Sequence, residues 1–513
     1  MHIDARNIDN NSIIEGDICI VGAGAAGVSI ALEWQNTPYK VILLEGGGFE
    51  YDEKIQELYD GETTGQRYFP LKSTRYHAFG GTTRLWGGYC SPLDEIDFKK
   101  REWVEYSGWP ITKRDLMPYY GKAIEYLDLH SPDFSVTKWI SEIEESQELL
   151  EYNNMVWSKM WQFSPPTRFG IKYKDLIINA TNIFLYTYAN ATNILLNEAK
   201  NKVAEIQVKN YNNKTHTIKA KHYILASNAL QNTRLLLASN SQINVGIGND
   251  HDNVGRYFMD HLEIKSAELW LVKPLPMELY IHKKEGTIAR AEFSLTEKAQ
   301  RQNKILNGTA SLTALTRARY EKPYIDLWSN KDPRKNQYTT WEKIKKRLSM
   351  IKESTIDNID RAYELFTRIE QAPNPNSRIT LLDEKDSLGV PKISLHWSLT
   401  ELDRISIRKM YEVIANEMSI ADVARVRFLE FLQNENDLLW PKHTGGGWHH
   451  MGTTKMHNDP KQGVVDSNCK IHGIDNLYIA GSGCFPTSGS VNPTFTLVAL
   501  SLRLSDYLKI KIK

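Results

Sequence analysis

Gly22-Ala23-Gly24-Ala25-Ala26-Gly27 directly follows an apolar run from Asp17 to Val21. Glu45 closes the next apolar run about twenty residues further on, with Gly46 beside it. Each residue type has a task in holding a dinucleotide. Gly22 permits the tight turn after a strand, Gly24 lets the backbone approach a pyrophosphate, and Gly27 allows close packing of the following helix. The first turn of that helix, at Ala25 and Ala26, offers unpaired amides and the positive end of a helix dipole to phosphate. Glu45 would accept hydrogen bonds from the adenosine ribose hydroxyls. The chemistry is that of a redox dinucleotide, and this motif alone serves NAD and FAD equally.

Other reaction classes leave no comparable mark. Cys19, Cys90, Cys469 and Cys484 are widely and irregularly spaced, which fits neither a metal site nor a disulfide framework. No metal-ligand cluster and no strand-turn-helix GxSxG occur, so no metal and no serine nucleophile are expected.

The elements that must position the motif can be read from hydrophobic patterning. Asp17 to Val21, Val28 to Gln35 and Val41 to Leu44 give strand, helix, strand. Asn193 to Val208 reads as a strand pair turning at Ala199 to Lys202, 222–227 as a buried strand, and Leu230 to Ala238 as a helix. Near the C-terminus a short strand ends in a glycine turn at Gly481, and an apolar helix begins at Pro493. Both ends of the chain are thus expected in one doubly wound α/β unit. The middle differs: 265–300 has mixed strand-like patterning, and 334–371 is charged and reads as a helix, its basic cluster Lys343 to Arg347 a solvated face.

The chain's 513 residues exceed a single small domain, and two large lobes are expected. The formal net charge of +1, with both signs spread along the chain, gives no basis for nucleic-acid binding. The first residues are polar and acidic, unlike an export signal, and no apolar run is long enough to span a membrane, so a cytoplasmic protein with free thiols is expected.

Four further segments discriminate between cofactors: GGTTRLWGG at 80–88, NVGRYFMDH at 253–261, HHMGTTKM at 449–456, and the long stretch at 463–503. Together with the glycine motif, and in this order, they resemble the glucose-methanol-choline (GMC) family of FAD-dependent oxidoreductases. The resemblance implies FAD, and an α/β fold: a Rossmann-type, glutathione-reductase-like FAD-binding domain with a discontinuous α+β substrate-binding domain. The FAD-binding domain would comprise 14–125, 176–264 and 441–513, the last carrying the catalytic pair. Residues 126–175 would be a linker or part of the substrate lobe, and 265–440 the substrate-binding domain.

On that resemblance Gly80, Gly81, Thr82 and Thr83 form a loop against the pyrophosphate and flavin ring, with Trp86, Gly87 and Gly88 close by. Some sugar oxidases of the family carry a flavin-linked histidine in this loop. The matching position here is Leu85, so the FAD should be non-covalent. Ala191 is the match for an adenine contact through the backbone, and Ala226 ends another strand at the cofactor. Gly481 and Ser482 should face the phosphates, and Asn492, Pro493 and Thr494 open the final helix toward the flavin.

Oxidising an alcohol removes a hydroxyl proton and a hydride. A histidine with a pKa near 6.5 cannot fully deprotonate an alcohol of about 16 without a cost of roughly 13 kcal/mol, so proton and hydride transfer must be coupled and a second polar group must assist. The family places a histidine four residues before the threonine of a GT motif, and a histidine or asparagine before the last helix. Here these are His449, as general base, and Asn492, as the donor that orients substrate. His450 is the alternative base; His443, His457 and His472 are expected to be structural or at the surface.

The implied reaction is oxidation of a CH–OH group, in a sugar, glycoside or polyol, by hydride transfer to flavin N5, with oxygen, a quinone or another group as electron acceptor. An oligomer is compatible with the sequence. The alternatives are a lyase with non-redox FAD on the same scaffold and a non-catalytic flavin-binding partner subunit, docking through the charged segment Trp341 to Arg347.

Overall fold

Ile18–Val21 and Val41–Leu44 are unbroken apolar runs in which every residue is buried, as strands covered on both faces must be. They lie at the centre of a six-stranded parallel sheet ordered His2–Asp4, Ile183–Thr187, Val41–Leu44, Ile18–Val21, His222–Leu225 and Leu477–Ile479. The structure, a computed structural model, describes residues 1–150, 155–281, 288–316, 358–436, 439–441 and 444–512. Both ends of the chain contribute strands to this one sheet. The direction of strand succession reverses at Ile18–Val21, and a crevice opens beyond the carboxyl ends of strands at such a point.

The helix Ala25–Glu33 packs against the C-terminal helix Pro493–Lys511, which in turn packs on Lys113–Tyr126, and all three share the hydrophobic core of the sheet. A four-stranded sheet of Ile13–Glu15, Thr215–Lys219, Val203–Lys209 and Asn190–Leu196 joins the same core. Its hairpin turns where the sequence places it, closed by the Asn197 N–H donating to the Lys202 carbonyl at 2.9 Å.

A second hydrophobic core belongs to an antiparallel sheet ordered Ala424–Phe428, Leu262–Leu271, Asn358–Ile369, Gly308–Thr316, Ala289–Leu295, Val156–Phe163 and Tyr89–Cys90, with Gly445–Gly446 paired on Leu262 and Glu263. The long helix Glu401–Ile420 covers it, begun by a reciprocal capping box between Thr400 and Asp403. A three-stranded sheet pairs Gly61–Gly65 with Pro391–Trp397, itself paired with Arg378–Lys385. Sequence-distant pieces of the N-terminal 150 residues therefore enter both of these sheets.

One expectation fails. The part of the charged helix predicted over 358–371 is instead the strand Asn358–Ile369, which pairs on both sides, with Leu262–Leu271 and Gly308–Thr316. Central pairing overrides the helix preference of its Arg, Ala, Glu and Leu residues. The rest of that helix, including Trp341 to Arg347, lies outside the described residues, as does His443.

The two cores are pinned together by a fully buried ion pair. Both nitrogens of the Arg101 guanidinium fork donate to the Glu370 carboxylate, at 2.6 and 2.7 Å, and Glu370 also accepts from the Asn307 backbone N–H. Removing one partner strands the other charge away from water, which typically costs about 3–5 kcal/mol. Arg101→Leu is therefore expected to lower the unfolding free energy by about that amount in urea denaturation. A loss below about 1 kcal/mol would show that the pair is not needed to join the cores.

Candidate functional site

The loops that follow Val21, Leu44, Leu225 and Ile479 end at one cavity of about 720 Å³, which continues to the antiparallel sheet. Gly22 turns with φ +105°, and a side chain there would strike the Ala226 carbonyl at 2.7 Å. At Gly27 a Cβ would lie 1.9 Å from the Gly22 carbonyl, so its task is packing of the helix on the turn. Gly24 and Gly481 differ: a Cβ at either meets nothing within 4 Å, and both line the cavity. Gly24 begins the helix Ala25–Glu33 without a side-chain cap, and Asn492 begins Pro493–Lys511 likewise. Two helix N-termini with free amides thus face the same space.

Glu45 stands at the next strand end. Burial pushes its carboxyl up, while the backbone N–H groups of Gly47 (2.8 Å) and Ala23 (3.2 Å), one on each oxygen, pull it back. Each oxygen keeps a lone pair for a hydroxyl. Uncapped helix ends, open space before two glycines and a buried carboxylate are the donor set a dinucleotide needs, so the residues present fit FAD.

Of the residues expected here, Gly22, Gly24, Ala25, Ala26, Glu45, Gly46, Gly81, Thr82, Thr83, Trp86, Gly87, Gly88, Ala191, Ala226, Gly481, Ser482, Asn492, Pro493 and Thr494 line the cavity, as does Leu85. Gly80 and Gly27 do not. Gly80 donates its N–H to the Ala23 carbonyl, and a Cβ there would meet the Gly170 nitrogen at 2.2 Å, so it fixes loop against loop. The next residue, Gly81, lies on the backbone of Gly24, 3.0 Å from a Cβ to its Cα.

At the other end of the cavity His449 and Asn492 meet, although 43 positions separate them: Asn492 Nδ2 is 2.9 Å from His449 Nε2. His449 Nδ1 is 2.9 Å from Nδ1 of His261, whose Nε2 is 2.8 Å from the Gly489 carbonyl. Burial, then the Arg368 charge, lower the pKa of His449 to about 3, so the ring is neutral and has a lone pair to offer. Asn492 Oδ1 is buried with no hydrogen-bond partner, an acceptor directed at no protein group.

The loop that carries His449 is held by Asp260. Its carboxylate accepts from the backbone N–H groups of Gly447 (3.1 Å), Trp448 (3.1 Å) and His449 (2.8 Å), and from the Tyr68 hydroxyl at 2.5 Å. Trp448 is held in the left-handed region, φ +62°, a conformation that a large residue adopts only when its surroundings enforce it. The Tyr68 hydrogen is committed to Asp260, so His450 Nε2, 3.1 Å from the Tyr68 oxygen, must be the donor there. That leaves His450 supporting Tyr68.

Beyond His449 the antiparallel sheet presents a charged, internally paired wall. Arg368 bonds Glu263 at 2.9 Å and lies 3.5 Å from Glu292, Arg290 bonds Glu292 at 2.5 Å, and Lys265 bonds Glu364 at 3.0 Å. Arg290, Arg368, Glu263 and Glu364 line the cavity in equal numbers of each sign, with Ser311, Thr313 and Tyr89 among them. Arg290 Nε is buried without a hydrogen-bond partner. Sequence reasoning missed Asp260, His261, Tyr68 and this wall. The segment NVGRYFMDH contains Asp260 and His261, and an adjacent acid and histidine ending such a segment was the signal available.

Comparison with known proteins follows the same outline. The family models described as GMC oxidoreductase match residues 174–263 and 373–501. The chain is 28% identical over 51% of its length to the fructose dehydrogenase large subunit of Gluconobacter japonicus, covering 42% of that protein. It is 29% identical over 26% of its length to pyranose 2-oxidase of Tricholoma matsutake, covering 22%, and 31% identical over 23% to C-glycoside 3-oxidase of Arthrobacter globiformis, covering 21%. The chain thus matches less than half the length of these curated relatives. Among solved structures a formate oxidase superposes with a TM-score of 0.59 at 17% identity, covering 98% of this chain and 99% of the other. A pyridoxine 4-oxidase from Mesorbium loti does so at 0.56 and 16%, covering 96% and 99%. The fold is shared along the whole chain.

The glycines separate two effects. Gly24→Ala has room in the protein, so stability measured without ligand is expected to stay within about 0.5 kcal/mol while FAD binding, followed by quenching of flavin fluorescence, is lost. Gly27→Ala cannot be accommodated and is expected to destabilise the protein by about 3 kcal/mol or more. FAD binding by Gly24→Ala at wild-type affinity would remove the phosphates from this position.

Proposed function

We propose that this chain, a member of the GMC oxidoreductases, is an FAD-dependent enzyme that oxidises a CH–OH group of a sugar, glycoside or polyol. The observation that carries this reading is the pairing of His449 with Asn492, 2.9 Å apart, at one end of a cavity whose other end is the Gly22 to Gly27 turn. The names of the relatives, a fructose dehydrogenase and two sugar-directed oxidases, support the substrate class. The wall supports it too. Carboxylates and guanidinium groups in equal number can accept from and donate to hydroxyls without attracting a net charge.

Ala25, Ala26, Gly24, Glu45, Gly81 and Gly481 would hold the FAD, with Leu85 rather than a nucleophilic side chain in the loop, so the attachment is non-covalent. Bound there, FAD supplies the hydride acceptor. His449 Nε2 takes the hydroxyl proton of the substrate as the carbon gives up its hydride, which avoids the cost of a free alkoxide. Asn492 donates to the same oxygen through Nδ2. Polar groups of the wall, Arg290 and Glu263 among them, line the space where the remaining hydroxyls would lie.

Acid precipitation of the purified protein is expected to release FAD, and anaerobic mixing with a panel of sugars, polyols and simple alcohols to bleach it with one class. Covalently retained flavin would overturn the attachment, and bound flavin that no alcohol bleaches would overturn the reaction. His449→Ala should retain flavin and lose about 10²–10⁴-fold in its rate of bleaching.

The pH dependence has a definite sign. The base acts only when neutral, and a pKa lowered to about 3 keeps His449 neutral well below the range of a free imidazole. The rate of flavin bleaching should therefore hold from pH 7 down to about pH 5, where an unperturbed histidine would already be mostly protonated. An acid limb centred near pH 6.5 in stopped-flow measurements would contradict the neutral, buried state of His449.

A further inference from the structure

We propose that His261 is a positioning residue that locks His449 in one tautomer, with its hydrogen on Nδ1 and the Nε2 lone pair facing Asn492 and the cavity. The assignment of a task to that lone pair rests on His449 being the base; the tautomer itself does not.

The hydrogens of the chain Gly489, His261, His449, Asn492 can be counted. The Gly489 carbonyl only accepts, so His261 Nε2, 2.8 Å away, carries a hydrogen. A neutral ring with its hydrogen there has a lone pair on Nδ1. That nitrogen is 2.9 Å from His449 Nδ1, which must therefore donate. The second lone pair then falls on His449 Nε2, 2.9 Å from the Asn492 amide nitrogen, which only donates. Each hydrogen is used once and no two donors or two lone pairs face each other.

The opposite pattern, with the hydrogen on His449 Nε2 and Asn492 reversed, sets two lone pairs against each other between the histidines unless His261 carries both hydrogens. His261 has no exposure to water. Burial, the neighbouring His449 and Arg368 all hold it well below the ordinary imidazole range, and the Gly489 carbonyl and the Glu263 carboxylate only partly oppose them. A cationic His261 is thus disfavoured on balance.

The arrangement matters when the proton arrives. The Asn492 amide hydrogen turns from His449 Nε2 to the substrate oxygen, the substrate O–H bond breaks and an N–H bond forms at Nε2, making an imidazolium whose Nδ1–H already points at the His261 lone pair. A hydrogen bond from a charged donor is about twice as strong as a neutral one, so His261 stabilises His449 most when it is charged. Orientation of a catalytic histidine through its second nitrogen is usually the work of a carboxylate. A neutral imidazole orients without adding a negative charge, which would raise the pKa of His449.

Neutron diffraction from deuterium-exchanged crystals of the FAD-bound wild type reads the tautomers without turnover. Deuterium on His449 Nδ1 and His261 Nε2, and none on His449 Nε2, is expected; deuterium on His449 Nε2, or on both nitrogens of His261, overturns the proposal. His261→Phe removes the acceptor, and His261→Asn offers an amide oxygen in the place of Nδ1. With flavin content unchanged, kcat should fall by about 10²-fold in His261→Phe, with KM within about threefold, and recover mostly in His261→Asn. Wild-type kcat in His261→Phe, or no recovery in His261→Asn, would assign His261 to packing alone and overturn its role. If no alcohol bleaches the wild-type flavin, the reading of the reaction fails while the neutron result still decides the tautomer.

Discussion

Three consecutive backbone amides, of Gly447, Trp448 and His449, donate to one buried carboxylate, Asp260. Amides of successive residues point in similar directions only when the chain is wound, and the winding here requires Trp448 at φ +62°. Burial pushes the Asp260 carboxyl up to about 7, and the three amides and the Tyr68 hydroxyl are what hold charge on it. A protonated carboxyl would face donors on every side. The anion, the wound loop and the direction of the His449 side chain are therefore one structural decision. Asp260 sits immediately before His261, so a single dipeptide fixes both the backbone and the second ring nitrogen of the base.

That dipeptide can serve both ends because of where the two sheets meet. Leu262–Leu271 begins just after it, and its first residues pair with Gly445–Gly446, which runs into the His449 loop. The parallel sheet supplies turns with free amides at the carboxyl ends of its strands. The antiparallel sheet supplies side chains that alternate across its faces. A dinucleotide needs the first and a hydroxyl-bearing substrate needs the second, so the cavity has to lie at the join. The Arg101–Glu370 pair keeps that join from opening, since Glu370 directly follows the strand that carries Arg368.

The parts of this design that are local in sequence were legible. The strand, glycine turn and helix from Ile18 to Glu33 follow from an apolar run and three glycines, and the final helix from Pro493 at its first position. The pairing of His449 with Asn492 was also expected, though through the family resemblance and not from spacing. What was not legible depends on contacts across long separations. The hydrogen bond between His261 and His449 spans 188 positions, and nothing in either neighbourhood announces it. Asn358–Ile369 was misread because its composition favours a helix and only its two sheet neighbours make it a strand. Gly80 was expected at the cofactor through the family resemblance; in the fold it fixes loop against loop, with Gly170 occupying the space where a side chain would go.

The charges around His449 obey a narrower rule than neutrality of the whole cavity. Arg368 is the charge that lowers the pKa of His449 after burial has done so, and on the proposed reading the same positive field would favour negative charge developing on a substrate oxygen. Too much of it would make His449 unable to accept the proton at all. Glu263 pairs with Arg368 at 2.9 Å and is close enough to Gly447 that a Cβ there would meet its carboxylate at 3.1 Å. On the proposed reading, the equal pairing of guanidinium and carboxylate groups beside the site lets neither sign dominate where a proton acceptor and a developing oxyanion would meet, and a neutral His261 orients the ring without adding a charge to that balance.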